Sequence, residues 1–245
     1  MYANLKKKYG QNFLIDKNIT SKIVDLISSE KLNILEIGPG DGRLTEKILI
    51  KKPSQLKVIE IDKDFIKVLS LKFSKYKFIE IIYGNILDIK LEDKFDLVIS
   101  NLPYNISSQI LIKLSLLKKT PDQLILMFQK EFGQRLLEEK INAINSLVKC
   151  FYKIKLCFHV SKNSFKPIPK VNSSVLIFKK RDRKLINEDE VDNFINFKRK
   201  LFSHKRKSLK NLLKEYNLDN KFDLNLRVED LQLSTLLKIF REINT

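Results

Sequence analysis

Asn33-Ile34-Leu35-Glu36-Ile37-Gly38-Pro39-Gly40-Asp41-Gly42 runs a short β-prone stretch straight into a glycine turn, and a helical pattern follows to about Lys51. Glycine permits a sharp strand-to-helix turn and lets a ligand approach the backbone closely. The spacing is G-x-G-x-G, and Arg43 stands where a dinucleotide fingerprint requires glycine. A nicotinamide or flavin dinucleotide is therefore disfavoured. The next strand, Leu56-Lys57-Val58-Ile59-Glu60-Ile61, carries Glu60 near its end, where a carboxylate can accept hydrogen bonds from both hydroxyls of a ribose.

The alternation extends in both directions. Upstream, Asp16 is a candidate N-cap for a helix over residues 17–29, with Ile19, Ile23 and Ile27 recurring every four positions. Downstream, a helix is expected from Lys63, strands over 78–83 and 95–100, and a helix from Asn105. A strand over 123–128, helical stretches through Phe151 and two last strands over 153–160 and 172–178 complete the series. Seven strands alternating with helices predict an α/β, Rossmann-like, mostly parallel sheet. Near Lys180 the composition turns polar in Lys179-Lys180-Arg181-Asp182-Arg183-Lys184. Beyond it only helical patterns appear, over 189–201, 205–216 and 229–243. Residues 1–180 read as one domain and 181–245 as a small all-α domain.

A chain of 245 residues with 43% hydrophobic side chains can bury one sizeable core. Lys and Arg number 47 against 29 acids, giving a net charge of +18. Such an excess points to a polyanionic partner, because each phosphate contact releases counterions. A lysine-rich proteome is the plainer explanation, since Lys, Ile and Asn are all abundant. Cys150 and Cys157 lack metal-ligand spacing, so no metal is expected and both thiols read as reduced. No apolar run is long enough to span a bilayer and no leader peptide is evident, so a cytoplasmic, membrane-free protein is expected.

Asn101-Leu102-Pro103-Tyr104 follows the fourth main strand. Ligands of open α/β sheets bind outside the carboxyl ends of strands, which puts this loop beside the glycine turn. Its chemistry suits an exocyclic aromatic amine, whose lone pair is delocalised into the ring. The Asn101 side-chain oxygen and the Leu102 carbonyl could hold the two N–H bonds and localise that lone pair. Pro103 stiffens the loop, and Tyr104 offers a flat face on which a base can stack, worth ~1–3 kcal/mol. Asn85, in Gly84-Asn85-Ile86-Leu87, could meet an adenine edge through its amide, or be an ordinary turn residue.

In this order the motifs resemble those of the KsgA- and Dim-type ribosomal RNA adenine dimethyltransferases, over nearly the whole chain. The matching pieces are Gly10-Gln11-Asn12-Phe13-Leu14, Glu36 to Gly42, Val58 to Asp62, Asn101 to Ser107, Gln129-Lys130-Glu131, Phe165 to Ser173 and Lys205 to Asn211. The resemblance implies a class I methyltransferase using S-adenosyl-L-methionine to dimethylate two adjacent adenines at N6 in the 3′-terminal hairpin of small-subunit ribosomal RNA. It implies that Gln11, Asn12 and Leu14 close over the cofactor and that Gly38 approaches its methionine part. It assigns Glu60 to the ribose and includes Gly40, Ile61, Asn85 and Asn101 among the cofactor residues. Asn85 stands where the family usually has Asp. Asn101 is placed at the target amine, with Tyr104 and Phe165 on the two faces of the target base.

The family also includes Erm enzymes acting on large-subunit RNA and organelle transcription-factor relatives. Gln11, the Gln129-Lys130-Glu131 stretch and the segment Phe202 to Leu212 resemble the small-subunit branch. From Lys198 to Lys210 there are seven basic residues and no acid. If residues 205–216 are helical, Arg206 and Lys207 each share a face with Lys210, and Lys205, Arg206, Lys207 and Lys210 are the candidate RNA contacts. The expected partner is small-subunit ribosomal RNA or the immature 30S subunit, and the expected state a monomer. The competing readings are adenine methylation in DNA, which calls for a sequence-reading domain not evident here, and a non-catalytic RNA-binding factor, against which Glu60 and the Asn101–Tyr104 loop speak.

Overall fold

A computed structural model describes residues 12–216, 218 and 222–243. The chain divides into two compact units, Met1–Gly133 with Lys153–Lys180, and Gln134–Tyr152 with Arg181–Thr245. The elements run β1 (Phe13–Leu14), α1 (Lys17–Asp25), β2 (Asn33–Ile37), α2 (Arg43–Ile48), β3 (Gln55–Glu60), α3 (Lys63–Phe73), β4 (Ile79–Tyr83), β5 (Leu97–Asn101) and α4 (Ser107–Ser115). They continue with β6 (Gln123–Gln129), α5 (Lys130–Leu137), α6 (Asn145–Phe151), β7 (Tyr152–Val160), β8 (Phe165–Lys166), β9 (Ser173–Lys180), α7 (Val191–Phe202), α8 (Leu209–Leu212) and α9 (Leu233–Ile243).

Seven strands form one sheet in the order β4-β3-β2-β5-β6-β9-β7. The first five are mutually parallel and β9 lies antiparallel on β6. Strands buried on both faces read as near-continuous apolar runs, and β2, β5 and β6 do so. The core of this unit gathers Ile34, Val58, Leu97, Ile99 and Ile125 from the strands with Ile23, Val24 and Ile27 from the α1 segment. Asp16 caps α1 as expected, accepting from the Asn18 and Ile19 N–H groups at 2.9 and 3.2 Å.

β1 and β8, two residues each, were not foreseen. They pair antiparallel, Phe13 opposite Lys166 and Leu14 opposite Phe165, in a separate two-stranded sheet.

The second unit has its own aromatic core, with the Phe240 ring 5.1 Å from Phe194 and 5.6 Å from Phe197. Residues 134–152 belong to it, although no linker marks them off from the preceding strand. Lys198 Nζ donates to the Ala143 carbonyl at 2.8 Å, and Lys140 pairs with Asp230 at 2.7 Å. The helix expected over 205–216 shortens to α8. Backbone pairing replaces its first turn: Leu209 and Lys210 donate to the Leu226 and Leu224 carbonyls, and Ser208 bridges Arg227.

Candidate active site

β3, β2 and β5 are neighbours in the sheet, so their carboxyl ends deliver the glycine turn, Glu60 and Asn101 to one place. The turn needs its glycines. Gly38 and Gly40 sit at φ +66° and +57°, the left-handed region that disfavours a Cβ. A Cβ on Gly38 would meet nothing within 4 Å, whereas one on Gly40 would come 2.6 Å from Phe13 Cε1. Gly38 thus keeps space open, and Gly40 admits the ring of β1.

Glu60 is 5% exposed and ties the turn to the end of β3. Its Oε2 accepts from the Gly40 N–H at 3.0 Å, and its Oε1 accepts from the Ile61 and Asp62 N–H groups at 2.9 Å each. Burial raises its pKa, and the three N–H groups partly offset that. A carboxylate has about four lone-pair sites, so roughly one remains for a ligand. Glu36, within β2, is deeper still. Thr45 Oγ1 donates to its Oε2 at 2.7 Å, and burial pushes its pKa up to about 8.

Asn101 ends β5. Its Nδ2 donates to the Asn12 carbonyl at 2.9 Å. Its Oδ1 is buried with no hydrogen-bond partner, and it alone among the described residues is a buried side-chain polar atom in that condition. Stranding an acceptor costs ~1–3 kcal/mol, so an orphan held in place at a cavity calls for a donor from outside the chain. Leu102 beside it is buried. Tyr104 is anchored at both ends: its carbonyl accepts from Ser107 Oγ at 3.1 Å, and its phenol lies 2.6 Å from Ser173 Oγ. Burial raises the phenol pKa.

One cleft joins the glycine turn, Glu36, Glu60, Asn101 and Leu102. Of the expected residues, Asn12, Leu14, Gly38, Gly40, Glu60, Ile61, Asn101, Leu102 and Pro103 line it. Phe13, Thr20, Glu36, Pro39, Asp41, Arg43 and Leu44 line it too. Glu36 was findable: a carboxylate inside an otherwise apolar strand needs a reason to be there. Phe13 belongs to the Gly10–Leu14 motif, but a two-residue strand has no periodicity to mark which way its ring turns.

Five expectations end elsewhere. Tyr104 follows the last lining residue, Pro103, and is not itself among the residues lining the cleft, its phenol lying against Ser173. Gln11 lies outside the described residues. Asn85 is not among the residues lining the cleft; its Oδ1 accepts from the Leu87 N–H at 3.1 Å and its Nδ2 donates to Asp88 at 3.0 Å, an Asx turn. Phe165 is 1% exposed and sits in the core of the unit, so its ring presents no open face to a base. Its neighbours in sequence suggest a surface loop, but pairing with Leu14 turns it inward. Lys205, Arg206, Lys207 and Lys210 are all exposed in the second unit, yet the first three occupy a turn, so the helical alignment with Lys210 does not hold. Lys198, in the same basic run, is buried, and burial brings its pKa down to about 8.

Among the described residues no three His, Cys, Asp or Glu side chains gather as metal ligands, and no helix is long and apolar enough to cross a membrane. Cys150 is buried and Cys157 half-buried, both as free thiols.

The sequence pattern of the family described as ribosomal RNA adenine dimethylase matches residues 2–245. The ribosomal RNA small subunit methyltransferase A of Mycoplasmopsis pulmonis is 36% identical, over 97% of this chain and 98% of its own. Its namesake from Mycoplasma capricolum is 38% identical, over 97% of each. Among solved structures, a dimethyladenosine transferase from Plasmodium falciparum superposes with a TM-score of 0.83 at 26% identity, covering 95% of this chain and 97% of that one. The 23S rRNA methyltransferase ErmE superposes with a TM-score of 0.77 at 20% identity, covering 95% and 100%, which shows the shared fold.

Proposed function

The chain belongs to the ribosomal RNA adenine dimethylase family, and from that membership we propose that it dimethylates N6 of two adjacent adenines in the 3′-terminal hairpin of small-subunit ribosomal RNA. The observation that carries this reading is the unpartnered, buried Oδ1 of Asn101 at the cleft that also holds the glycine turn and Glu60. The relatives 36–38% identical over nearly their full length are named for the small subunit, which supports that branch over the large-subunit one.

The cleft suits S-adenosyl-L-methionine, which when bound supplies a methyl group activated on a sulfonium sulfur. The open space at Gly38 suits close approach of the methionine part. Glu60, with about one acceptor site left, suits one ribose hydroxyl rather than both, because three backbone N–H groups already occupy its oxygens. Gly40 and Ile61 shape the floor, and Asn12 and Leu14 close the cleft from the N-terminal side. Asn85, held in its own Asx turn and not lining the cleft, has no part in this reading.

At the target base, Asn101 Oδ1 accepts one amine N–H and the Leu102 carbonyl the other, so the nitrogen lone pair turns out of conjugation. Pro103 holds the Leu102 carbonyl in place, and Tyr104 stacks on the base. No side chain has to act as base, because a methylated ammonium-like nitrogen sheds its proton readily to water. The adenine leaves its stack at a cost of a few kcal/mol, less in a hairpin loop than in a duplex. Lys205, Arg206, Lys207 and Lys210 meet RNA phosphates, which gives RNA binding to the second unit, and the first unit carries the methyltransferase site. The protein acts as a monomer in the cytoplasm, on the immature 30S subunit.

The deciding experiment supplies labelled S-adenosyl-L-methionine with unmethylated small subunits, and separately with naked large-subunit RNA and duplex DNA. Label in dimethyladenosine near the 3′ end of the small-subunit RNA is expected. Label confined to large-subunit RNA or to DNA overturns the target, and label in none of them overturns the activity.

A further inference from the structure

Ser173 opens β9 and is 0% exposed, so its hydroxyl must find a partner within the protein. That partner is the Tyr104 phenol, 2.6 Å away and 69 positions earlier in the chain. Ser173 is itself firmly placed. It faces Gln129 in the β6–β9 ladder. Its neighbour Asn172 is held on two sides, the side-chain Oδ1 accepting from the Lys162 N–H at 3.0 Å and the carbonyl from the Lys130 N–H at 2.9 Å. Stacking does not need a phenol oxygen, since a phenylalanine ring offers the same face. The hydroxyl of Tyr104 is instead committed to a fixed post on another strand.

We propose that Ser173 is a positioning residue for methyl transfer: its hydroxyl fixes the rotation of the Tyr104 ring, keeping one face turned toward the incoming adenine. The inference rests on reading Tyr104 as the platform for the target base. Without the hydroxyl pair the ring would sample other settings about χ1 and χ2, and the base would find the receiving one less often. The motif segment ending at Ser173 thereby acquires a task in catalysis although none of its residues lines the cleft.

The test is a double-mutant cycle on methyl transfer to unmethylated small subunits, using Tyr104→Phe, Ser173→Ala and the pair. Titration calorimetry with S-adenosyl-L-methionine accompanies each. Loss of one neutral hydrogen bond predicts a fall in kcat/KM of about 3- to 10-fold for each single variant. The double variant is expected to be no worse than either single, with cofactor affinity within about twofold of wild type. Multiplying losses, wild-type rates in the singles, or a parallel loss of cofactor affinity overturns the inference. Should Ser173→Ala not fold, Tyr104→Phe carries the test alone: a wild-type kcat/KM overturns it, and the predicted fall with intact cofactor binding supports it. Tyr104→Ala separates the two readings. Full activity there removes the platform itself, whereas a crippled Tyr104→Ala beside a multiplicative cycle removes only the role of Ser173.

Discussion

The Gly40 N–H donates to Glu60 Oε2 at 3.0 Å, across the tip of the glycine turn. The carboxylate proposed to hold the ribose therefore also fixes the loop that makes room for it. Glu60→Gln puts an NH₂ group against backbone donors and removes charge-assisted hydrogen bonds, each worth about 1.5–3 kcal/mol. Cofactor affinity by calorimetry should fall at least tenfold, with a lower melting temperature. Unchanged values for both would show that neither role belongs to Glu60.

Gly38→Ala separates strain from space. The new Cβ meets no protein atom, so the folded chain should lose only the left-handed backbone penalty, about 1–2 kcal/mol in denaturant unfolding. Cofactor binding should suffer more than that loss implies, because the methyl group enters the cleft. Intact binding would place the ligand away from Gly38.

Asn101→Ala removes the orphaned acceptor and, with it, its desolvation penalty. The variant should be no less stable than the loss of the Asn12 contact dictates, while kcat falls ~10²–10³-fold, as when one preorganised polar group is deleted. Measured single-turnover rates at wild-type level would exclude Asn101 from the reacting centre.

Arg206→Ala with Lys207→Ala tests the second unit. Both side chains are exposed, and two lost phosphate contacts should lower the slope of log affinity against log salt by about two. RNA binding measured across a salt series checks this, and a wild-type slope assigns both charges to an uninvolved surface.

Glu36 predicts a pH dependence of stability. Its pKa rises from 4.5 to about 8, chiefly through burial, with Thr45, Glu60 and Lys72 as the other influences. The native state binds this proton more tightly than the unfolded chain. The stabilisation is therefore complete below pH 4.5 and falls as pH rises through 8, by up to ~1.4 kcal/mol per unit. Wild type should lose stability relative to Glu36→Gln between about pH 5 and 8. Parallel unfolding curves across that range would show that Glu36 does not titrate there.

The parallel sheet was readable because its signals are local. Each of the seven strands lies within about two residues of its expected bounds. Asp16 and the glycines act on residues only a few positions away. The reading failed where structure depends on distant partners. Residues 205–216 have helix-forming composition, but the backbone of 224–227 pairs with residues 208–210. Phe165 looks like a loop aromatic until Leu14 pairs with it.

Strand period, turn chemistry and motif order come from residues adjacent in sequence, so the chain alone specified the fold, the cofactor turn and the Asn101–Tyr104 loop. The hydrogen bonds that make a site of them span long separations: Asn101 to Asn12 across 89 positions, Tyr104 to Ser173 across 69, Ser164 to Asp16 across 148. Such contacts form only when the sheet closes and buries polar atoms that must then be matched. Folding therefore settled which oxygen of the cleft stays without a partner, which carboxylate holds the turn and which aromatic ring is turned away from the surface.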